Sequence, residues 1–296
     1  MASKLFLYVG IAADVCISIT KFIAASITGS SAMVSEGVHS LIDTINQLLL
    51  LMGIKKSKKK PDARRPFGYG REIYFWSFIV SLLLFSIGGC ISFYEGILRF
   101  KRPGVAEDQN WNYIVLAISF VFTAISATVS FKKFSKQSAE LSFYSAIKQS
   151  KDPAVLIVML SDLGDLIGLL IAFFGIYLGH RFQNHYYDGI ASMLIGIFLI
   201  IISLLLVRES GSLLMGEAIS KKTLRKIIAL TETDPAIEKV KFQFSMYLAP
   251  EEVVLQLIAT FKKEMNTQQI TEAIQRIIMS IQEKFPRIKQ IFIEPG

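Results

Sequence analysis

Six apolar stretches, each about long enough to cross a bilayer, constrain this chain more than any other feature. A membrane-crossing helix needs about 20 mostly apolar residues. Such stretches run near residues 5–27, 32–54, 73–98, 112–131, 154–178 and 188–207. In hydrocarbon every backbone N–H and C=O must be satisfied within its own segment, so these stretches read as helices packed into a bundle. Composition agrees, with 52% hydrophobic residues, 19% charged and a mean hydropathy of +0.47; soluble domains carry about 25% charged residues. The net charge of +8 would suit nucleic acid. The basic residues, however, sit in loops beside the apolar stretches, which is a topology signal, and no nucleic-acid partner is expected.

Six spans put both termini on one side. The loop after the second span holds Lys55, Lys56, Lys58, Lys59, Lys60, Arg64, Arg65 and Arg71, and the segment after the fourth adds Lys132, Lys133, Lys136, Lys148 and Lys151. Opposite them lie only Arg99, Lys101, Arg102 and Arg181. The excess of positive charge places both termini in the cytoplasm. Cys16 and Cys90 both fall within apolar spans, so a disulfide framework is not expected. The first span holds Asp14 and Lys21 and is too long for a cleavable signal.

Chemistry concentrates in a few polar residues inside the spans. The stretch Ser31 to Gln47, SAMVSEGVHSLIDTINQ, carries Glu36, His39 and Asp43 at spacings of three and four, which puts all three on one helix face. Ionisable groups at membrane depth cost a few kcal/mol or more and mark ion paths. Imidazole and carboxylate one turn apart can form half of a tetrahedral divalent-metal site. The alternative is a satisfied polar cluster between packed helices. In the fifth span Asp162 and Asp165 stand three residues apart with no basic residue nearby, so a cation or proton has to neutralise them. Asp14 and Lys21, seven residues apart in the first span, either brace the bundle as a pair or belong to the ion path.

The remaining polar residues read as structural. Glu95 and Arg99 suit an i,i+4 surface pair, and His180 and His185 read as solvated loop residues. Ala117, Ala124 and Ala127 suit close helix packing in the fourth span, and Phe134 to Lys151 reads as its helix continuing into the cytoplasm. Asp152-Pro153 reads as the start of the fifth span, a cap followed by proline at the first helical position. Neither an H-E-x-x-H helix nor a G-x-S-x-G elbow is present, so enzyme chemistry is not expected.

After Arg208 the pattern changes to helix (KKTLRKIIAL), strand (KVKFQFSMYL), strand (VVLQLIATF), helix from Thr267 to about Lys284, and strand (KQIFIE). The expected fold is an all-α six-helix transmembrane bundle, residues 1–209, plus a small cytoplasmic α+β domain of ferredoxin-like αββαβ type, residues 210–296. The latter contains no His and no Cys, which makes it a weak zinc binder.

Taken together, the HSLID motif in the second span, the Asp-bearing fifth span, PFGYG before the third, YYDGIASMLIGIFLI in the sixth and the α+β end resemble the cation diffusion facilitators. GSSAMVSEGVHSLIDTINQ is similar in detail to that family's zinc transporter nine branch. The resemblance implies a homodimeric secondary antiporter in the lipid membrane that moves Zn²⁺ out of the cytoplasm against protons. With one imidazole among oxygens, Mn²⁺, Fe²⁺ or Co²⁺ are open alternatives, as is a metal-binding dimer without transport. By motif, His39, Asp43 and Asp162 match metal ligands, while the family's second fifth-span ligand falls on Val158. Asp165 is the favoured replacement, with Glu36 next, then Ser161 or water. The family's loop histidines are replaced here, with Tyr69 and Arg65 in the corresponding segment. A prokaryotic plasma membrane is the expected location.

Overall fold

The computed structural model describes residues 5–28, 31–101, 109–137, 143–182, 184 and 186–296, with only the backbone described at some helix ends, residues 31–36 among them. The chain divides into two compact units, one of residues 1–56 and 72–211 and one of residues 57–71 and 212–296.

The first unit is helical throughout its described residues: α1 (Leu5–Thr28), α2 (Ser31–Ser57), α3 (Glu72–Leu83), α4 (Ser92–Lys101), α5 (Gln109–Gln137), α6 (Phe143–Gln149), α7 (Pro153–Arg181) and α8 (Tyr186–Met215), the last running on past the unit's boundary. Among the described residues five segments are long and apolar enough to cross a membrane: Leu5–Ala24, Glu72–Lys101, Tyr113–Lys136, Pro153–Arg181 and Tyr186–Met215. α2 has 27 residues, about 40 Å at the helical rise. Asp14 of α1 meets Gln47 of α2 and Lys21 meets Ser40, the pairing of an antiparallel hairpin. Residues 29 and 30, which join the two helices, lie outside the described residues.

α7 is the enclosed helix. Its first eight residues, Pro153 to Leu160, are all buried, as a helix that is apolar on every side requires. Asp152 caps it, its Oδ1 accepting from the Val155 amide at 3.3 Å, and Pro153 needs no N–H partner in the first turn. α5 packs along both α1 and α7. Of its small residues, Ala127 is buried but Ala117 is exposed, so the close packing expected of the alanines is only partly met. Of the helix expected from Phe134 to Lys151, α5 covers the start up to Gln137 and α6 covers Phe143–Gln149, residues 138–142 lie outside the described residues, and Lys151 is not helical. The third span departs most from a plain helix: Leu84–Ile91, between α3 and α4, winds as a π-helix.

The second unit has α9 (Lys221–Glu232), β1 (Ile237–Ala249), β2 (Glu252–Phe261), α10 (Thr267–Lys284) and β3 (Ile288–Pro295), the expected αββαβ order. The sheet order is β1-β2-β3, with β1 and β2 antiparallel and β2 and β3 parallel. Ala273, Ile277 and Ile281 on one stripe of α10, with Ile227 of α9, pack over Leu255 and Leu257 of β2. A capping box starts α10: the Asn266 side chain accepts from the Gln269 amide and the Gln269 side chain accepts from the Asn266 amide, both at 2.9 Å. Residues 57–71 belong to this unit. The Tyr69 hydroxyl donates to Asp62 at 2.6 Å, and the Lys59 and Arg65 cations both stand 4.5 Å from the Tyr69 ring. Gly70 lies so close to the Leu248 carbonyl that a Cβ would come within 2.7 Å of it.

Candidate metal site

His39 and Asp43 project from one face of α2, as the four-residue spacing requires, with His39 Nε2 3.9 Å from Asp43 Oδ2. Their side chains are 32% and 22% exposed, so an ion can reach them. They line a pocket with Ser161 and Asp165 of α7 and Ser203 of α8, bounded on the third span by Leu84 and Gly88. Ser161 and Asp165 are one turn apart, which explains why they share this face. The π-helical stretch supplies Leu84 and Gly88, and π-turns recur at functional sites because they shift the face a helix presents.

Asp162 points elsewhere. It is 4% exposed and is held by α5: Ser126 Oγ donates to both carboxylate oxygens, at 3.1 and 3.0 Å, and Ser130 Oγ donates to Oδ2 at 2.8 Å. Hydroxyl donors of this kind let a carboxylate persist away from water. Val158, where the resemblance implies a ligand in related chains, is 2% exposed within the buried start of α7.

Two further charged residues lie on α1, outside the pocket lining. Asp14 accepts from Gln47 Nε2 of α2 at 2.7 Å. Lys21 is 9% exposed and donates from Nζ to Ser40 Oγ at 3.0 Å. The Glu36 side chain lies outside the described residues. Among the described residues no three His, Cys, Asp or Glu side chains converge at ligand distance. Donors from α2 and α7 thus surround one pocket without meeting at a single point.

Elsewhere, Arg99 Nη1 reaches Asp188 Oδ2 of α8 at 3.1 Å, a partner that the i,i+4 reading of Glu95 and Arg99 did not include. His180 is exposed at the end of α7, and His185 lies outside the described residues. The two serines that hold Asp162 were also not foreseen. Their signal lies in the fourth span, where Ser119, Thr123, Ser126 and Ser130 recur at spacings of four, three and four, and all are buried. A polar stripe of that kind on an otherwise apolar helix points to a charged partner.

Comparison with known proteins shows the family. A family profile described as the cation efflux transmembrane domain matches residues 7–215. The chain is similar to the proton-coupled zinc antiporter SLC30A9, mitochondrial, of Xenopus laevis, at 33% identity over 74% of this chain and 40% of the relative. It is similar to metal tolerance protein C4 of Arabidopsis thaliana at 26% identity over 81% of this chain and 51% of that protein. It also matches the manganese efflux system protein MneP of Bacillus subtilis, at 27% identity over 68% of this chain and 65% of that protein. The chain thus spans about two-fifths of the length of the vertebrate antiporter it matches. With a helical membrane unit carrying an imidazole-carboxylate pocket and a small αββαβ unit, the chain belongs to the cation diffusion facilitator family, a family of membrane transporters and not of enzymes.

Proposed function

We propose that this protein is a secondary transporter that exports Zn²⁺, or a related divalent metal, from the cytoplasm in exchange for protons. The observation that carries the reading is that His39 and Asp43 of α2 and Asp165 of α7 line one pocket within the membrane unit. Metal binding needs neutral imidazole and ionised carboxylate, so protons and metal compete for the same lone pairs, and loading the metal releases protons. Release on the other side of the membrane follows when protons retake those lone pairs.

On this reading His39, Asp43 and Asp165 are the inner ligands, with Ser161, Glu36 or water completing the set. Asp162 supplies charge from beside the pocket or swings in when the metal arrives. α2 is the sixth crossing, which makes residues 1–209 the membrane domain and 210–296 the cytoplasmic one. The protein sits in a prokaryotic plasma membrane with both termini inside, and two copies pair. Similarity to a zinc antiporter and to a manganese efflux protein supports a divalent cargo. A single imidazole among oxygens also admits Mn²⁺, Fe²⁺ or Co²⁺ as cargo.

Purified protein in proteoliposomes containing a Zn²⁺-responsive dye, with an imposed pH gradient, tests this. Saturable, proton-coupled uptake is expected, and its loss in His39→Ala, Asp43→Ala, Asp162→Ala and Asp165→Asn proteins that still assemble. Zn²⁺ binding without uptake by the wild type would instead favour a metal-binding dimer without transport. Competition by Mn²⁺, Fe²⁺ and Co²⁺ in the same assay ranks the cargo.

A further inference from the structure

We propose that Lys21 is a tethered cation that sets how tightly the pocket holds its metal. The inference rests on the metal-binding reading above and adds a residue that the ligand set does not contain. Lys21 sits on α1 with 9% of its surface exposed, and its Nζ donates to the hydroxyl of Ser40, the residue next to His39. The ammonium is thus fixed at the level of the imidazole turn. One turn earlier on α1, Ser18 Oγ donates to the Gly37 carbonyl at 3.0 Å, which pins α1 against α2 and keeps the lysine from swinging away with its helix. Asp14 lies seven residues earlier on α1, two turns along the same face, and is itself held to α2 through Gln47.

A buried lysine costs solvation energy wherever it sits, so its presence among carboxylates answers a need of theirs. Asp43 and Asp165 line the pocket, Asp162 stands three residues before Asp165 on α7, and Asp14 of α1 is held by Gln47 of α2. A divalent ion entering such a cluster without opposition would bind too tightly to leave. The ammonium offsets part of the negative charge before the ion arrives and repels the ion once it is there. Coulomb repulsion in a partly desolvated site falls off slowly with distance, so an ammonium beside the pocket weakens binding by about tenfold or more. Release is correspondingly quicker.

Zn²⁺ titration of full-length protein in nanodiscs, paired with uptake into proteoliposomes, tests the assignment. In Lys21→Met and Lys21→Gln the Zn²⁺ Kd is expected to tighten about tenfold, while the maximal uptake rate falls because release becomes slow. Lys21→Arg keeps the charge and is expected to restore both. A residue that only braced the helices would leave Kd unchanged or weaken it, and that result in the two neutral variants overturns the proposal. So does failure of both neutral variants to assemble while Lys21→Arg assembles, which would assign the charge to folding. A wild type that binds Zn²⁺ without moving it fails the transport reading yet leaves the affinity shift measurable. A wild type that binds no Zn²⁺ overturns both.

Discussion

Asp162 and Asp165 stand three residues apart on α7, about 60° around the helix from one another, and meet different surroundings. Asp165 lines the pocket, whereas Asp162 accepts three contacts from Ser126 and Ser130. A hydrogen bond to a charged group contributes about 1.5–3 kcal/mol. Ser130→Ala is therefore expected to destabilise the protein by about that amount, seen as a lower melting temperature in detergent. Asp162→Asn in the same background should recover part of the loss, because the amide no longer carries a charge that needs the hydroxyl. Equal, additive losses in the double-mutant cycle would show that the bond carries no weight. The imidazole and the carboxylates that line the pocket were legible in the sequence because intramembrane ionisable groups are rare and costly, whereas Ser203 of α8 was not. Which carboxylate faces the pocket was not legible. That depends on the rotation of α7 against α2, which packing by the enclosed Pro153 to Leu160 run decides and no local pattern records.

Among the elements, the starts of the long apolar helices were readable to within a few residues, and so was the start of α7 at Pro153, because capping chemistry is local, whereas α5 and α8 run on to Gln137 and Met215, past the expected ends at 131 and 207. The π-turn at Leu84–Ile91 left no mark in composition, since it is selected by neighbouring helices. Alternation failed in β1 for a comparable reason. Val240, Phe242, Phe244, Met246 and Leu248 alternate in the sequence, a pattern that on a regular strand puts them on one face. Instead, a register shift between Val240 and Phe242 turns Phe242 and Phe244 outward, 57% and 49% exposed. Helix contact also fixes Gly96 of α4, where a Cβ would come within 2.5 Å of the Met193 backbone nitrogen of α8. Backbone cannot yield as a side-chain tip can. Gly96→Leu is expected to separate the two helices, costing about 1–3 kcal/mol or more, with a lower melting temperature in detergent as the readout. An unchanged melting temperature would count against this packing. In the second unit, burial alone would push the Asp234 carboxyl up. Arg276, donating from Nε and Nη2 at 3.0 Å each, and the Ala236 amide outweigh that and hold it below the usual carboxylate range. A carboxylate lowered in the folded state adds stability above its ordinary value of about 3.9 and loses it as pH falls through the folded value. Asp234→Asn should therefore reduce hydrogen-exchange protection of the Ile237–Phe261 amides at pH 6, after correction for intrinsic rates. The difference from wild type should vanish as the solution is acidified past both values. A gap that persists in acid would point to lost packing in place of lost charge.

For the molecule as a whole, the two units expose apolar surface for different reasons. Leu5, Ile19, Ile125, Ile197 and Ile201 are exposed on helices that carry membrane-span windows, where lipid is the natural solvent. Phe242, Phe244 and Phe292 belong to a unit whose own core is already filled by Ile227, Leu255, Leu257 and Ile277. The register sets Phe244 and Phe292 on either side of Gln256, one on β1 and one on β3, so their rings share the sheet face turned away from α9 and α10. Exposed aromatic rings on one sheet face are the kind of apolar surface that a partner covers in many proteins. A second copy is the partner that the proposed dimer supplies. Because neither ring contributes to the unit's core, Phe244→Glu is expected to leave the fold intact and convert the purified full-length protein from dimer to monomer by light scattering in detergent. Retention of the dimer in Phe244→Glu and in Phe242→Glu would move the interface off the sheet and onto the membrane helices. In that case the exposed phenylalanines would need a different occupant.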